Sequence, residues 1–84
     1  MSFKLSNHAR QELVRRDIAL AEVEAVLAAP GQIVPGHGGI LCYQSQTTCD
    51  GKPCLLRVMV NEATDPMVVV TIYRTNKISK YWQL

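Results

Sequence analysis

Leu41-Cys42-Tyr43-Gln44-Ser45-Gln46-Thr47, then Thr48-Cys49-Asp50-Gly51-Lys52, then Pro53-Cys54-Leu55-Leu56-Arg57-Val58-Met59-Val60-Asn61: two strand-like runs meet at an Asp-Gly pair. Asp-Gly between such runs is a strong signal for a two-residue hairpin. The spacing predicts strands over 40–47 and 53–61. With Asp50 and Gly51 as the loop, Cys49 pairs with Lys52, Tyr43 lies opposite Val58, and Gln44 lies opposite Arg57. Downstream, Met67 to Arg74 is a β-branched run of the kind that forms a central strand. Carrying the register across the loop 62–66 puts Val60 opposite Val68 and Arg57 opposite Thr71. Upstream, Ile33-Val34 is a short strand and Gly36-His37-Gly38-Gly39 a turn.

Because strand side chains alternate, this meander has two faces. One carries Leu41, Tyr43, Leu56, Val58, Val60, Val68, Val70 and Ile72 and is almost wholly apolar. The other carries Cys42, Gln44, Leu55, Arg57, Met59, Val69, Thr71 and Tyr73, with a polar row of Gln44, Arg57 and Thr71 at its centre. Pro53 beside the turn could introduce a bulge and shift the pairing.

Before Pro30 the periodicity is helical. One helix starts at Ser6 or Asn7, either of which can cap it, shows a stripe of Ala9, Leu13 and Val14, and ends near Arg16-Asp17. A second carries Leu20, Val23, Val26 and Leu27 on one side and stops at Ala29-Pro30-Gly31. Ala19 offers it no side-chain cap. Ile18 fits the corner between them. The expected fold is therefore α+β: a helical hairpin (6–29) packed on the apolar face of a four-stranded antiparallel meander (32–74), followed by a basic and aromatic tail (75–84), in one domain of 1–84.

At 84 residues, with 48% hydrophobic and 19% charged side chains, such a chain builds one core without a metal or disulfide and is not disordered. The net charge of +2 is too small for a dedicated nucleic-acid module, but it is unevenly placed: after Asp65 come Arg74, Lys77 and Lys80 and no acid. No apolar run reaches the roughly 18 residues of a membrane span, and Met1 to Leu5 has no leader-like apolar core. The three cysteines, Cys42, Cys49 and Cys54, are spaced unlike a zinc site, so the expectation is free thiols in a reducing cytoplasm, with no metal and no cofactor. Gly36 to Gly39 lacks the following helix of a phosphate loop.

Three places carry candidate chemistry. Arg57, with Thr71, Gln44 and Tyr73 on its face, has the fork that fits a phosphate; an ordinary solvent-facing row is the plain alternative. His8 lies in the first turn of a helix, where the positive dipole end favours the neutral ring, a usable general base; Glu12 is one turn on. A loosely paired surface histidine is its alternative. The tail, Arg74, Lys77, Lys80, Tyr81 and Trp82, combines cations with stacking surface, which suits RNA, or its aromatics fold back on the core. His37, between glycines, reads as a loop histidine.

The order His8-Ala9-Arg10, Arg15 to Ile18, Glu22 to Pro30, Leu56 to Val60 and Val69 to Arg74 resembles a small bacterial family catalogued as a domain of unknown function, DUF4258. That family is similar in layout to RelE- and BrnT-type toxins of toxin–antitoxin pairs. The resemblance implies helices on a curved antiparallel sheet, a partner antitoxin-like protein, and metal-independent RNA cleavage by the ribose 2′-hydroxyl. His8 would be general base or acid, Arg57 would stabilise charge, and Thr71 and Tyr73 would hydrogen-bond. Gln44, Arg74, Lys77, Lys80 and Tyr81 would hold RNA. The competing readings are a non-catalytic protein-binding module, using Leu55, Met59, Met67 and Val69 of the open face, and a toxin relative without activity.

Overall fold

The computed structural model describes residues 2–84; Met1, with the domain's first position, lies outside them. Its elements are β1 (Phe3–Leu5), α1 (Asn7–Arg15), α2 (Leu20–Ala28), β2 (Gln32–Pro35), β3 (Leu41–Cys49), β4 (Lys52–Asn61), β5 (Met67–Thr75) and α3 (Ile78–Tyr81). The class is α+β, but among the described residues the sheet has five strands, in the order β1-β5-β4-β3-β2, and the helices number three. The extra strand β1 pairs parallel to β5. Phe3 and Leu5 pack against the core while Lys4 is exposed; three residues are too few for that alternation to be told from chance in a sequence. The extra helix, α3, is a single turn inside the tail.

The hairpin forms as its turn residues dictate. Asp50 (φ 51°) and Gly51 (φ 75°) both have positive φ, the type I′ condition that matches strand twist. Cys49 pairs with Lys52, Tyr43 with Val58 and Gln44 with Arg57, with no shift at Pro53.

The register of β4 on β5 differs from expectation. Arg57 lies opposite Tyr73, not Thr71, and Val60 opposite Val69, not Val68, with the pairing slipping between Met59 and Val60. Since Met59 faces Thr71, Val70 is the extra residue of a bulge on β5. The bulge reverses which side chains face inward before it: Val69 is fully buried in the core, whereas Val68 and Val70 are only half-buried. Its carbonyls serve the start of the chain. The Ser6 backbone N–H donates to the Val69 carbonyl (3.0 Å) and the Ser6 hydroxyl to the Val70 carbonyl (3.0 Å). The same Ser6 hydroxyl accepts the Ala9 N–H (3.0 Å) as the α1 cap. A bulge thus docks β1 and α1 together.

Both N-terminal helices pack on one face. Ala9, Ile18, Val23, Val26 and Leu27 join Tyr43, Leu56, Val58, Val60, Val69 and Ile72 in one cluster. Two stripe residues do not: Val14 is 84% exposed and Leu20 46%. Val14 stands five residues after Ala9, about 140° round the helix. Glu12 is buried instead, and its carboxylate accepts from Arg15 (2.8 and 3.0 Å) and Arg16 (3.2 Å). The Arg15 hydrogen bonds hold the Glu12 carboxyl below the usual carboxylate range.

The cysteine expectation is also corrected. Cys49 and Cys54 form a disulfide with Cα atoms 5.8 Å apart, inside the usual range; they lie diagonally on one face across the turn, which brings their Cβ atoms together. Cys42 alone is free, and it is buried. Among the described residues no helix is long and apolar enough to cross a membrane.

The α1–α2 corner is closed from the sheet. Asp17 takes positive φ (53°), and Arg74, at the end of β5, donates to the Arg16 and Asp17 carbonyls (3.1 Å each) and to the Glu22 carboxylate (3.3 Å). Glu22 in turn accepts the Ala19 N–H (2.8 Å), the reciprocal half of a capping box, while Ala19 itself supplies no side-chain cap. Arg74 therefore spends its fork on the fold rather than on the face with Arg57. Arg74→Ala is expected to lower stability by about 1–2 kcal/mol, read by urea unfolding, and Arg74→Lys to recover little, because one ammonium cannot span two carbonyls and a carboxylate.

Candidate functional site

The face away from α1 and α2 is not open. After β5 the tail turns back across it. Trp82 lies against Gly31, where a Cβ would stand 2.9 Å from the ring and 3.3 Å from the Gln44 carbonyl. Gln32 clasps Gln83 from both sides: its Nε2 donates to the Gln83 carbonyl and its Oε1 accepts the Gln83 N–H (3.1 Å). Cys42, Gln44 and Leu55, expected on an exposed face, have no accessible surface at all.

Burial of Gln44 demands four partners, two for the oxygen and two for the NH₂ group. It has them. Oε1 accepts from Arg57 Nε (2.9 Å) and faces the Cys42 thiol (3.9 Å); Nε2 donates to Gln32 Oε1 (2.9 Å) and to the Tyr81 carbonyl (3.1 Å). Gln44 thus positions Arg57 and has no surface left to touch RNA.

Arg57 is 7% exposed. Besides Gln44 its partner is the Tyr73 hydroxyl, which accepts from Nη1. Its guanidinium carbon lies 4.2 Å from the centre of the Tyr81 ring and 5.6 Å from that of Tyr73, and the two rings meet edge-on at 6.4 Å. Ring faces attract a cation but do not neutralise it. Among the described residues no carboxylate pairs with Arg57. Burial raises the Tyr73 hydroxyl above its usual range, with Arg57 opposing; the charge of Lys80 lowers that of Tyr81. Tyr73 therefore stays protonated at neutral pH.

Along β5, two residues from Tyr73 on the same face, Thr71 meets His8: His8 Nε2 is 3.1 Å from the Thr71 hydroxyl and 3.5 Å from Glu12 Oε1. The bulge makes this contact, because it seats the first turn of α1 at the strand edge. The residues singled out in the sequence thus form two linked pairs, His8 with Thr71 and Arg57 with Tyr73, with Tyr81 stacked over the second. Lys77 and Lys80 are solvent-exposed, Lys80 above the Tyr81 ring (5.2 Å). Arg74 stands apart.

A pocket of about 290 Å³ opens beside Arg57, bounded by the β2–β3 turn with His37, by Met59, and by Lys80 and Tyr81. Its lining holds no acidic side chain. His37 lies twenty residues from Arg57 in sequence, and only the pairing of β2 with β3 and β3 with β4 brings its turn there. Among the described residues no group of three metal-ligating side chains occurs.

Gly31→Ala tests how the tail is held. The new methyl displaces Trp82, the only tryptophan in the sequence, so its emission is expected to shift to the red while the unfolding free energy falls by about 1 kcal/mol. Unchanged emission would show that the tail does not depend on this contact.

No curated protein and no solved structure matches the chain. The family described as domain of unknown function DUF4258 does match, over residues 5–74, which takes in the helical hairpin, β2 to β4, all but the last residue of β5, and the residues His8, Arg57, Thr71 and Tyr73. By that match this 84-residue chain belongs to the DUF4258 family.

Proposed function

We propose that the protein binds RNA through the face centred on Arg57 and cuts it without a metal ion, as a small toxin of the RelE or BrnT kind. The observation that carries this reading is the buried Arg57 guanidinium, with no carboxylate among the described residues paired to it. An uncompensated buried charge is costly, and a site that keeps one is suited to an anion arriving from outside. The planar fork matches phosphate, the Tyr81 and Tyr73 rings offer stacking faces, and Lys77 and Lys80 add cations for a strand backbone.

Cleavage follows from the second pair. His8 removes the proton of a ribose 2′-hydroxyl; the O2′–P bond forms as the P–O5′ bond breaks. The leaving 5′-oxygen takes a proton from water, and the products are a 2′,3′-cyclic phosphate and a 5′-hydroxyl. Arg57 stabilises the charge that builds on the phosphorus oxygens. Thr71 and Glu12 orient His8, and Tyr73 orients Arg57. The cytoplasm is where such a substrate would be met, and an antitoxin-like protein is the partner this reading implies.

In EDTA, the purified protein is expected to cleave RNA, with His8→Ala slowing it by about 10²–10⁴ and Arg57→Lys by about 10² or more, each retaining the native circular dichroism. Expression should arrest growth, relieved by the product of an adjacent gene. Undiminished cleavage in both variants would sink the site. RNA bound but left intact by the wild-type protein would favour the binding-only or inactive relative. Of the four residues of the alternative open-face interface, Leu55 and Val69 have no accessible surface, whereas Met59 and Met67 keep part of theirs.

A further inference from the structure

We propose that the pocket between the β2–β3 turn and α3 is a terminal-phosphate site, which takes a phosphate monoester at the end of an RNA strand. The strand rests on the RNA reading above; the phosphate does not.

The guanidinium of Arg57 carries five N–H donors. Gln44 and Tyr73, both neutral, accept from Nε and Nη1. Every fully buried side-chain nitrogen among the described residues has a partner, so the remaining nitrogen, Nη2, borders accessible space. The pocket is the space that Arg57 lines. Lys80 contributes a second cation and His37 an imidazole, and no acid lines the cavity to answer either. The positive charge is concentrated at one pocket, whose lining includes Arg57, Lys80 and His37.

Charge and size both select an end group. An internal phosphodiester brings one negative charge and needs room for chain on both sides. A phosphate monoester carries about −1.5 to −2 at neutral pH and needs chain on one side only. A volume of about 290 Å³ sits at the bottom of the range of small-ligand sites, roughly 300–1,000 Å³, room for one phosphorylated sugar. The Tyr81 ring, on the pocket wall and over Arg57, supplies the face on which the terminal base stacks. The strand then leaves along Tyr73 towards Thr71 and His8. With the end phosphate on Nη2, Arg57 cannot also serve a phosphodiester at His8, so a strand held by its end is bound in a mode distinct from the one that is cut.

The test uses the full chain and a fluorescent single-stranded RNA with 2′-O-methyl sugars, which cannot be cut by the 2′-hydroxyl route. Anisotropy compares a 5′-phosphate, a 3′-phosphate and two hydroxyl ends. One phosphorylated strand is expected to bind about tenfold or more tightly than the hydroxyl strand. Inorganic phosphate should abolish that advantage, and His37→Ala or Lys80→Ala should each bring the ratio towards one. Both side chains are exposed, so the variants fold, and Trp82 emission checks it. Equal binding of all three strands overturns the pocket and leaves RNA binding standing. An advantage that survives both substitutions places the phosphate elsewhere and also overturns it. If no RNA binds but inorganic phosphate shifts the amide resonances of His37 and Lys80, the RNA reading fails and the phosphate site stands; if phosphate shifts nothing either, both fail.

Discussion

Gln44 is the point on which this structure turns. Its amide has no accessible surface, and each of its four hydrogen-bonding positions is met by a different part of the chain: β2 through Gln32, β3 through Cys42, β4 through Arg57 and the tail through Tyr81. A buried amide that lost one of these would carry an unsatisfied group. The network therefore works as a unit. It holds the tail on the sheet, and it aims the Arg57 side chain at a pocket where no carboxylate meets it. Rigidity and unspent charge come from the same contacts, as expected where a polar network positions a binding group.

The second organising feature is the Val70 bulge. Bulges re-aim side chains and cluster near functional sites. Here the bulge turns Val69 into the core, presents two carbonyls to Ser6, and so sets the first turn of α1 against Thr71. Without it, β5 would continue the register of its hairpin, and α1 would lack its anchor on the strand edge. Arg74, a few residues on, ties the same strand to the α1–α2 corner. A single strand thus serves the core, the helical corner and the polar face through successive residues.

Much of this was legible from residue order. The Asp-Gly turn specifies β3 against β4, because positive φ at two successive residues leaves little choice of turn. The helical periods and the strand periods place most of the core, and Ser6 reads as a cap. Arg57 and Gln44 read as cross-strand neighbours, with Tyr73 on the same face, because register and alternation are local rules; that Tyr81 folds back from the tail onto Arg57 is a tertiary outcome. The errors have one character. Periodicity puts Leu20 and Val14 on the core stripe, because it gives a face but not its width. Alternation alone turns Val68 and Val70 inward, because a bulge has no composition of its own. Arg74 reads with the tail cations, because nothing local distinguishes a solvated arginine from one that spans two carbonyls.

What residue order alone determined is the α+β class, the central hairpin with its register, and the membership in the DUF4258 family. These follow from turn chemistry and periodicity, which act over a few residues. Only the tertiary structure decided that the second face is covered, that Cys49 and Cys54 are joined, and that His37 stands with Arg57 and Lys80 around one pocket. Those outcomes depend on where distant segments meet, and burial, not spacing, is what turns a polar row into a site.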